Sequence, residues 1–195
     1  MPAQIPIMPS PADTTRSAQQ ILSQIQADSE FAAFRAASLE YSDEWQCFTG
    51  FPVISNWSLD EDAEPLFEEG LRAISLKTAI HELTGDEHAA EISIAVPVDE
   101  MIHAMLAQSQ LIVRIAQRLG LSIIHQTDQE CTKYTSTCYT AECYRAAWGT
   151  PPPRYWLFHD EVIKRREHLA GLYESIGMGR SGRQHSIKFE ELAAA

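Results

Sequence analysis

The chain has 195 residues, of which 45% are hydrophobic and 22% charged, and its formal net charge is −12. This composition predicts a soluble, single-domain globular protein and excludes both a disordered chain and a segment that crosses a bilayer. Residues 28–100 hold seventeen carboxylates and three basic side chains, a formal charge of −14. A field of this sign repels nucleic acid and anionic lipid, so the sequence predicts no nucleic-acid or membrane partner and favours a basic protein surface.

The start of the chain is rich in proline. Residues 1–16 contain four prolines and no helical periodicity, so we expect a mobile leader. The apolar positions that follow recur at helical spacing, which predicts a short helix from about Ser17 and another that begins at Asp28. Residues 51–54 combine a proline with apolar neighbours and are predicted to form an edge strand.

The middle of the chain predicts a helix followed by a βαβ unit. Early acids and an apolar stripe predict a helix over 65–84, which Gly85 ends. β-branched residues alternate over 91–98 and recur over 121–127, so both segments are predicted strands. The apolar seam between them, over 99–119, has the length of a helical crossover that joins parallel strands.

The last third of the chain completes the predicted architecture. Residues 134–148 are rich in threonine, tyrosine and cysteine, which predicts one or two further strands. A final helix is expected over 158–176 and a flexible tail over 178–195. The predicted fold class is therefore α+β or α/β: one helix-rich globular domain over residues 17–177 with a small sheet.

The uncompensated acids predict an acidic protein-binding module of the inhibitor, antidote or assembly-chaperone type found in mobile elements. Carboxylates would steer a basic partner and aromatic side chains would anchor it. The residues predicted to bind that partner are Asp60, Glu61, Asp62, Glu64, Glu68, Glu69, Trp148, Tyr155 and Trp156. An alternative is a structural or assembly subunit of a viral or bacterial particle, in which the two loose ends order on neighbouring copies in a homo-oligomer.

No motif identifies a catalytic residue, so the balance is against an enzyme and no cofactor is the first expectation. The alternative is a metal-dependent enzyme that holds a divalent transition metal. His88 and Glu91 are three residues apart, as are Glu100 and His103. Such pairs share a face when they lie on a helix, and they bind metal ions in helix bundles. The candidate ligands are therefore these two histidines and two glutamates.

The cysteines indicate a reducing compartment. Cys47, Cys131, Cys138 and Cys143 have neither the close pairing of a zinc module nor the spacing of a small secreted disulfide framework. We therefore expect free thiols and a cytoplasmic protein.

Overall fold

The computed structural model describes residues 7–44, 53–125 and 133–175. Within those ranges the regular secondary structure is entirely helical. The predicted α+β or α/β class with a small sheet is therefore wrong, because the described residues form an all-helical fold. The eight helices of these ranges are α1 (Pro11–Ala27), α2 (Phe31–Glu44), α3 (Leu59–Thr84), α4 (Glu87–Ala90), α5 (Val96–Ala107), α6 (Ser109–Leu119), α7 (Tyr139–Trp148) and α8 (His159–Ser175).

The first predicted strand, residues 91–98, is irregular backbone that leads into α5 from Val96. Pro97 lies in the first turn of α5, where a missing N–H costs nothing. The four β-branched residues Ile92, Ile94, Val96 and Val98 are all buried. Their alternation therefore reflects burial against the helices and not a sheet, and the predicted βαβ unit is wrong.

The other predicted strands are also corrected. Residues 121–125 are irregular, and the remainder of the strand predicted over 121–127 lies outside the described residues. Most of 134–148 is helix α7, which buries Thr140 and Tyr144 one turn apart. The aromatic and β-branched composition of this stretch suits a buried helix face as well as a strand. Of the predicted edge strand, the described residues Val53 and Ile54 are not part of a strand.

The longest helix, α3, lies at the centre of the fold and contacts α1, α2, α4, α5 and α7. Almost every residue from Leu66 to Ile80 is buried, so α3 faces protein on nearly all sides. It begins at Leu59, which places Pro65 inside the helix. The left-handed backbone of Gly85, at φ 65°, ends it, as the sequence predicts.

The approach of α5 to α3 is close at Gly70. A Cβ atom built at this position would lie 2.8 Å from Cε of Met105 and 3.1 Å from Cγ of Met101. Both methionines belong to α5 and are fully buried. The absent side chain of Gly70 therefore sets how closely α5 packs on the central helix.

The two ends of the described chain are helical. α1 begins at Pro11, inside the segment predicted to be a leader, and Ser10 caps it by accepting from the backbone N–H of Asp13. α8 packs through Val162 on a small apolar cluster with Val53, Val96 and Leu157. The tail predicted over 178–195 lies outside the described residues. Within the ranges that the structure covers, no helix has both the length and the apolar character that a bilayer crossing requires.

Candidate metal centre

Two polar clusters lie against α3, and the first surrounds the carboxylate of Glu69. This carboxylate accepts hydrogen bonds from the Tyr144 hydroxyl at 2.6 Å, the Trp156 indole N–H at 2.7 Å and an Arg72 guanidinium N–H at 2.7 Å. The Glu69 side chain is 4% exposed. Burial and the bond to Glu69 raise the pKa of Tyr144 well above its usual value. Both oxygens of this buried carboxylate therefore accept hydrogen bonds from other side chains.

Asp62, two turns earlier on α3, is held in the same way. Its Oδ2 lies 2.7 Å from Nη2 of Arg154 and accepts from the Ser58 N–H at 2.8 Å, while Oδ1 accepts from the Tyr155 hydroxyl at 2.9 Å. The pKa of Asp62 is lowered to about 2, mainly by the hydrogen bonds from Arg154. Burial and the bond to Asp62 raise the pKa of Tyr155 to about 12. The carboxylates of Asp62 and Glu69 are thus both held by hydrogen-bond donors inside the fold.

The residues predicted to bind a partner fall into a group inside the fold and a group at its surface. Asp62, Glu69, Tyr155 and Trp156 are buried and contact other parts of the chain. Trp148 is half-buried and packs edge-to-face on Tyr144, with ring centroids 5.2 Å apart. The predicted partner-binding residues that remain at the surface of α3 are Asp60, Glu61 and Glu64, which are exposed, and Glu68, which is half-buried.

The side chains of the second cluster belong to residue types that commonly bind metal ions. Asp99, His103 and His125 each offer one ligand atom, and these three atoms lie within 4.8 Å of one another. Nε2 of His103 is 3.9 Å from Oδ2 of Asp99. The rings of His103 and His125 meet edge-to-face, with centroids 4.9 Å apart. A carboxylate oxygen and two imidazoles therefore face a common point.

Helix α5 supplies two of the three groups because Asp99 and His103 are four residues apart and so lie on one helix face. Asp99 is in the first turn of α5 and is buried. The start of α5 is fixed by Pro97 and by the packing of Met101 and Met105 on Gly70. The position of these two ligands thus follows from the contact between α5 and the central helix.

His125 reaches the cluster from the irregular segment after α6. Gly120 ends α6 with a left-handed backbone at φ 66°, and the Leu121 N–H returns to the Ala116 carbonyl. The Ser122 N–H then donates to Glu82 of α3 at 3.1 Å. These two contacts hold the segment along α3, which directs it towards α5 and the other two ligands.

Polar neighbours border the cluster on two sides. Oε2 of Glu100 lies 3.8 Å from Nδ1 of His103, on the side of the ring away from Asp99. Metal-binding histidines commonly donate their second ring N–H to a carboxylate. At 3.8 Å, Glu100 is the neighbouring carboxylate but lies beyond hydrogen-bonding distance of His103. On the other side, Lys77 Nζ is 3.2 Å from Nδ1 of His125 and 2.6 Å from Oε2 of Glu91.

The electrostatics of His125 favour a neutral ring. Burial is the main cause that lowers its pKa to about 3, and the charges of Lys77 and His103 lower it further. A metal ion binds an uncharged imidazole. His125 therefore meets this requirement over the physiological pH range.

The donor set fits a single transition metal ion. Two imidazole nitrogens and one carboxylate oxygen suit zinc, iron, cobalt or nickel. With bonds of about 2.1 Å, ligand atoms on one ion lie about 3.0 to 3.4 Å apart, so the side chains need to approach by roughly half an ångström or more from their present separations. Three protein ligands also leave at least one coordination position for water or substrate, which is the arrangement of catalytic metal sites.

The four predicted metal ligands are distributed around this cluster. His103 belongs to it, while Glu100 and Glu91 lie beside it, next to His103 and Lys77 respectively. His88 is exposed on α4 and is not a member of the group. The predicted ligands do not include Asp99, which lies at the start of the helical segment predicted over 99–119, or His125, which lies in the strand predicted over 121–127. The Asp-x-x-x-His spacing of a helix face was the available signal for the first of these.

Comparison with known proteins does not assign a function to this cluster. The chain matches no protein-family model, no curated protein and no solved structure.

Proposed function

We propose that this protein binds one divalent transition metal ion through Asp99, His103 and His125, and that the ion is the centre of a metal-dependent enzyme. The observation that carries the proposal is the convergence of three ligand atoms within 4.8 Å. They come from two separate parts of the chain, α5 and the segment after α6.

Charge around the cluster supports cation binding. Among the described residues, Asp99, Glu91 and Glu100 bring three carboxylates to the neighbourhood, and Lys77 brings an ammonium. The His103 side chain is 32% exposed, so solvent reaches one side of the cluster. A site that is partly open and has three protein ligands supports substrate access in preference to a closed structural role.

The test is metal binding by the full chain. Protein purified without chelator is analysed for bound metal, and the chelator-stripped protein is titrated with Zn²⁺ and Co²⁺ by calorimetry. We expect one equivalent to bind, and His103→Ala to lower the affinity at least about 100-fold, because one of three ligands is lost.

His88→Ala is the matched control, since His88 is an exposed histidine outside the cluster. It should bind zinc with unchanged affinity. Equal losses in the two variants, or a wild-type chain that binds neither ion, would contradict the metal centre.

A second proposal is that the start of α3 binds a basic protein surface, and that the protein acts in the cytoplasm. Asp60, Glu61 and Glu64 are exposed within two turns of one helix, and although Glu64 pairs with Arg35, the three acids together support electrostatic steering. Replacing all three by amides should weaken binding of a lysine-rich peptide and flatten its salt dependence. The matched control neutralises three exposed acids of α8, Asp160, Glu167 and Glu174. If both triple variants behave alike, the effect comes from net charge and the proposed surface is wrong.

A further inference from the structure

Lys77 is a buried cation that touches the candidate metal centre. It lies on α3, and its side chain is 2% exposed. Nζ donates to Oε2 of Glu91 at 2.6 Å and contacts Nδ1 of His125 at 3.2 Å. The Glu91 side chain is 4% exposed, so the ammonium exchanges hydrogen bonds with these two groups and not with bulk water.

The chemistry of the contact fixes the state of the His125 ring. An ammonium has three donors and no acceptor, so the hydrogen bond runs from Lys77 to Nδ1. A neutral imidazole that accepts at Nδ1 carries its proton on Nε2. In this arrangement both ring nitrogens are committed, one to the Lys77 donor and the other to the proton.

Coordination of His125 is therefore incompatible with this hydrogen bond. If an ion binds Nδ1, it takes the lone pair that Lys77 uses. If an ion binds Nε2, the ring proton moves to Nδ1, which then no longer accepts from Lys77. In either case Lys77 must release the imidazole, and Glu91 remains its acceptor.

We propose that Lys77 competes with the metal ion for His125 and thereby sets the metal affinity of the site, with Glu91 as the acceptor that retains the ammonium when the ion binds. This inference rests on the metal centre proposed above. Lys77 is a positioning residue, since it acts through a ligand and through charge repulsion of the ion.

The sharpest test is the double variant Lys77→Met/Glu91→Gln, compared with wild type by zinc titration. It removes one positive and one negative charge, so the net charge is kept and no unpaired charge is left buried. We expect it to bind zinc about tenfold more tightly or better, because a hydrogen bond from a charged donor no longer has to be broken.

Glu91→Gln alone should have the opposite effect. Lys77 then has a neutral side-chain amide at position 91 and the neutral His125 ring as acceptors in place of a carboxylate, so it holds the ring more firmly and the zinc affinity falls severalfold. A merely structural role for the pair would weaken zinc binding in both variants. Opposite changes therefore distinguish competition from structural support.

A measurement on the wild-type chain covers the case in which the double variant does not fold. The imidazole nitrogens of His125 are observed by NMR before and after addition of Zn²⁺. Before addition we expect Nε2 to be protonated and Nδ1 to accept a hydrogen bond. After addition, the NMR signal of a hydrogen-bond-accepting Nδ1 should be lost. A ring that already carries its proton on Nδ1 before zinc is added would overturn the proposal.

The failures of the two proposals are separable. If the wild type binds zinc and His103→Ala does not, but the double variant binds with equal or lower affinity, competition by Lys77 is wrong and the metal centre stands. If the wild type binds no zinc or cobalt, the metal centre itself is wrong, and the inference about Lys77 fails with it.

Discussion

The two polar clusters on α3 differ in the kind of group they bring together. At Glu69, one acceptor is surrounded by three donors, from Tyr144, Trp156 and Arg72. At Asp99, the converging groups are a carboxylate and two imidazoles, all of which carry lone pairs. An acceptor enclosed by donors is complete and holds helices together. A cluster of such groups can bind a cation, which Lys77 or the proposed metal ion would supply.

The comparison predicts that the first cluster determines stability. Glu69→Ala should lower the free energy of unfolding by about 3–5 kcal/mol, because the buried Tyr144 hydroxyl, the buried Trp156 indole N–H and the partly exposed Arg72 guanidinium lose this acceptor. Urea unfolding followed by circular dichroism measures this change. The fraction that stays folded should bind zinc with wild-type affinity.

Glu68→Ala is the control for this prediction, since Glu68 is the adjacent carboxylate on α3 and accepts a single exposed hydrogen bond from Gln26. It should change the free energy of unfolding by less than about 0.5 kcal/mol. Losses of similar size at the two positions would show that the Glu69 cluster is not a structural anchor.

A smaller loss of stability is expected at the packing contact between α3, which carries Glu69, and α5, which carries Asp99 and His103. Gly70→Val should cost about 2 kcal/mol, because the new side chain enters the space of Met105 and Met101 on α5. Displacement of α5 also moves Asp99 and His103, so zinc affinity should fall together with stability. Gly171→Val is the comparison, since a Cβ atom there has no neighbour within 4 Å. Unchanged zinc affinity in Gly70→Val would separate the ligands from the packing of α5.

The smallest expected effect is the pH dependence that Asp62 gives to the free energy of unfolding. The pKa of Asp62 is about 2 when folded, against an ordinary value of 3.8. Its contribution to stability is therefore present above about pH 4 and is lost as pH falls towards 2. Allowing for the 40% exposure of the Arg154 side chain, we expect about 1–2 kcal/mol.

Asp62→Asn removes this titration. The gap in the free energy of unfolding between wild type and variant should be present at neutral pH and should close between about pH 4 and pH 2. Urea titrations at a series of pH values measure it. Two pH profiles that run parallel through this range would show that Asp62 and Arg154 do not contribute as described.

Sequence reasoning located helices better than it located strands. The end of α3 at Gly85 and the end of α6 at Gly120 follow from left-handed glycines, whose local cause is visible in the sequence. Residues 91–98 were predicted wrongly because alternation of β-branched residues reports burial, and burial is decided by the partner element. A central helix enclosed on nearly all sides offers such burial without a sheet.

The candidate site was only partly predictable for a similar reason. His103 and Glu100 are near in sequence, and their helical spacing shows that they share a face. His125 lies more than twenty residues further on and reaches the site because Gly120 turns the chain and Glu82 holds Ser122. Asp62 and Glu69 were expected at the surface because their donors, Arg154, Tyr155, Tyr144 and Trp156, are 75 to 93 residues away.

The contact between α3 and α5 has a consequence for the lifetime of the protein. Because Asp99 and His103 lie on α5, which packs against the enclosed helix α3, release of an ion from the proposed centre would require more than fraying of a terminal element. An ion bound there would resist cooperative opening of the whole domain, and so would protect the chain from degradation by proteases. The steady-state amount of the protein would then follow the supply of its metal.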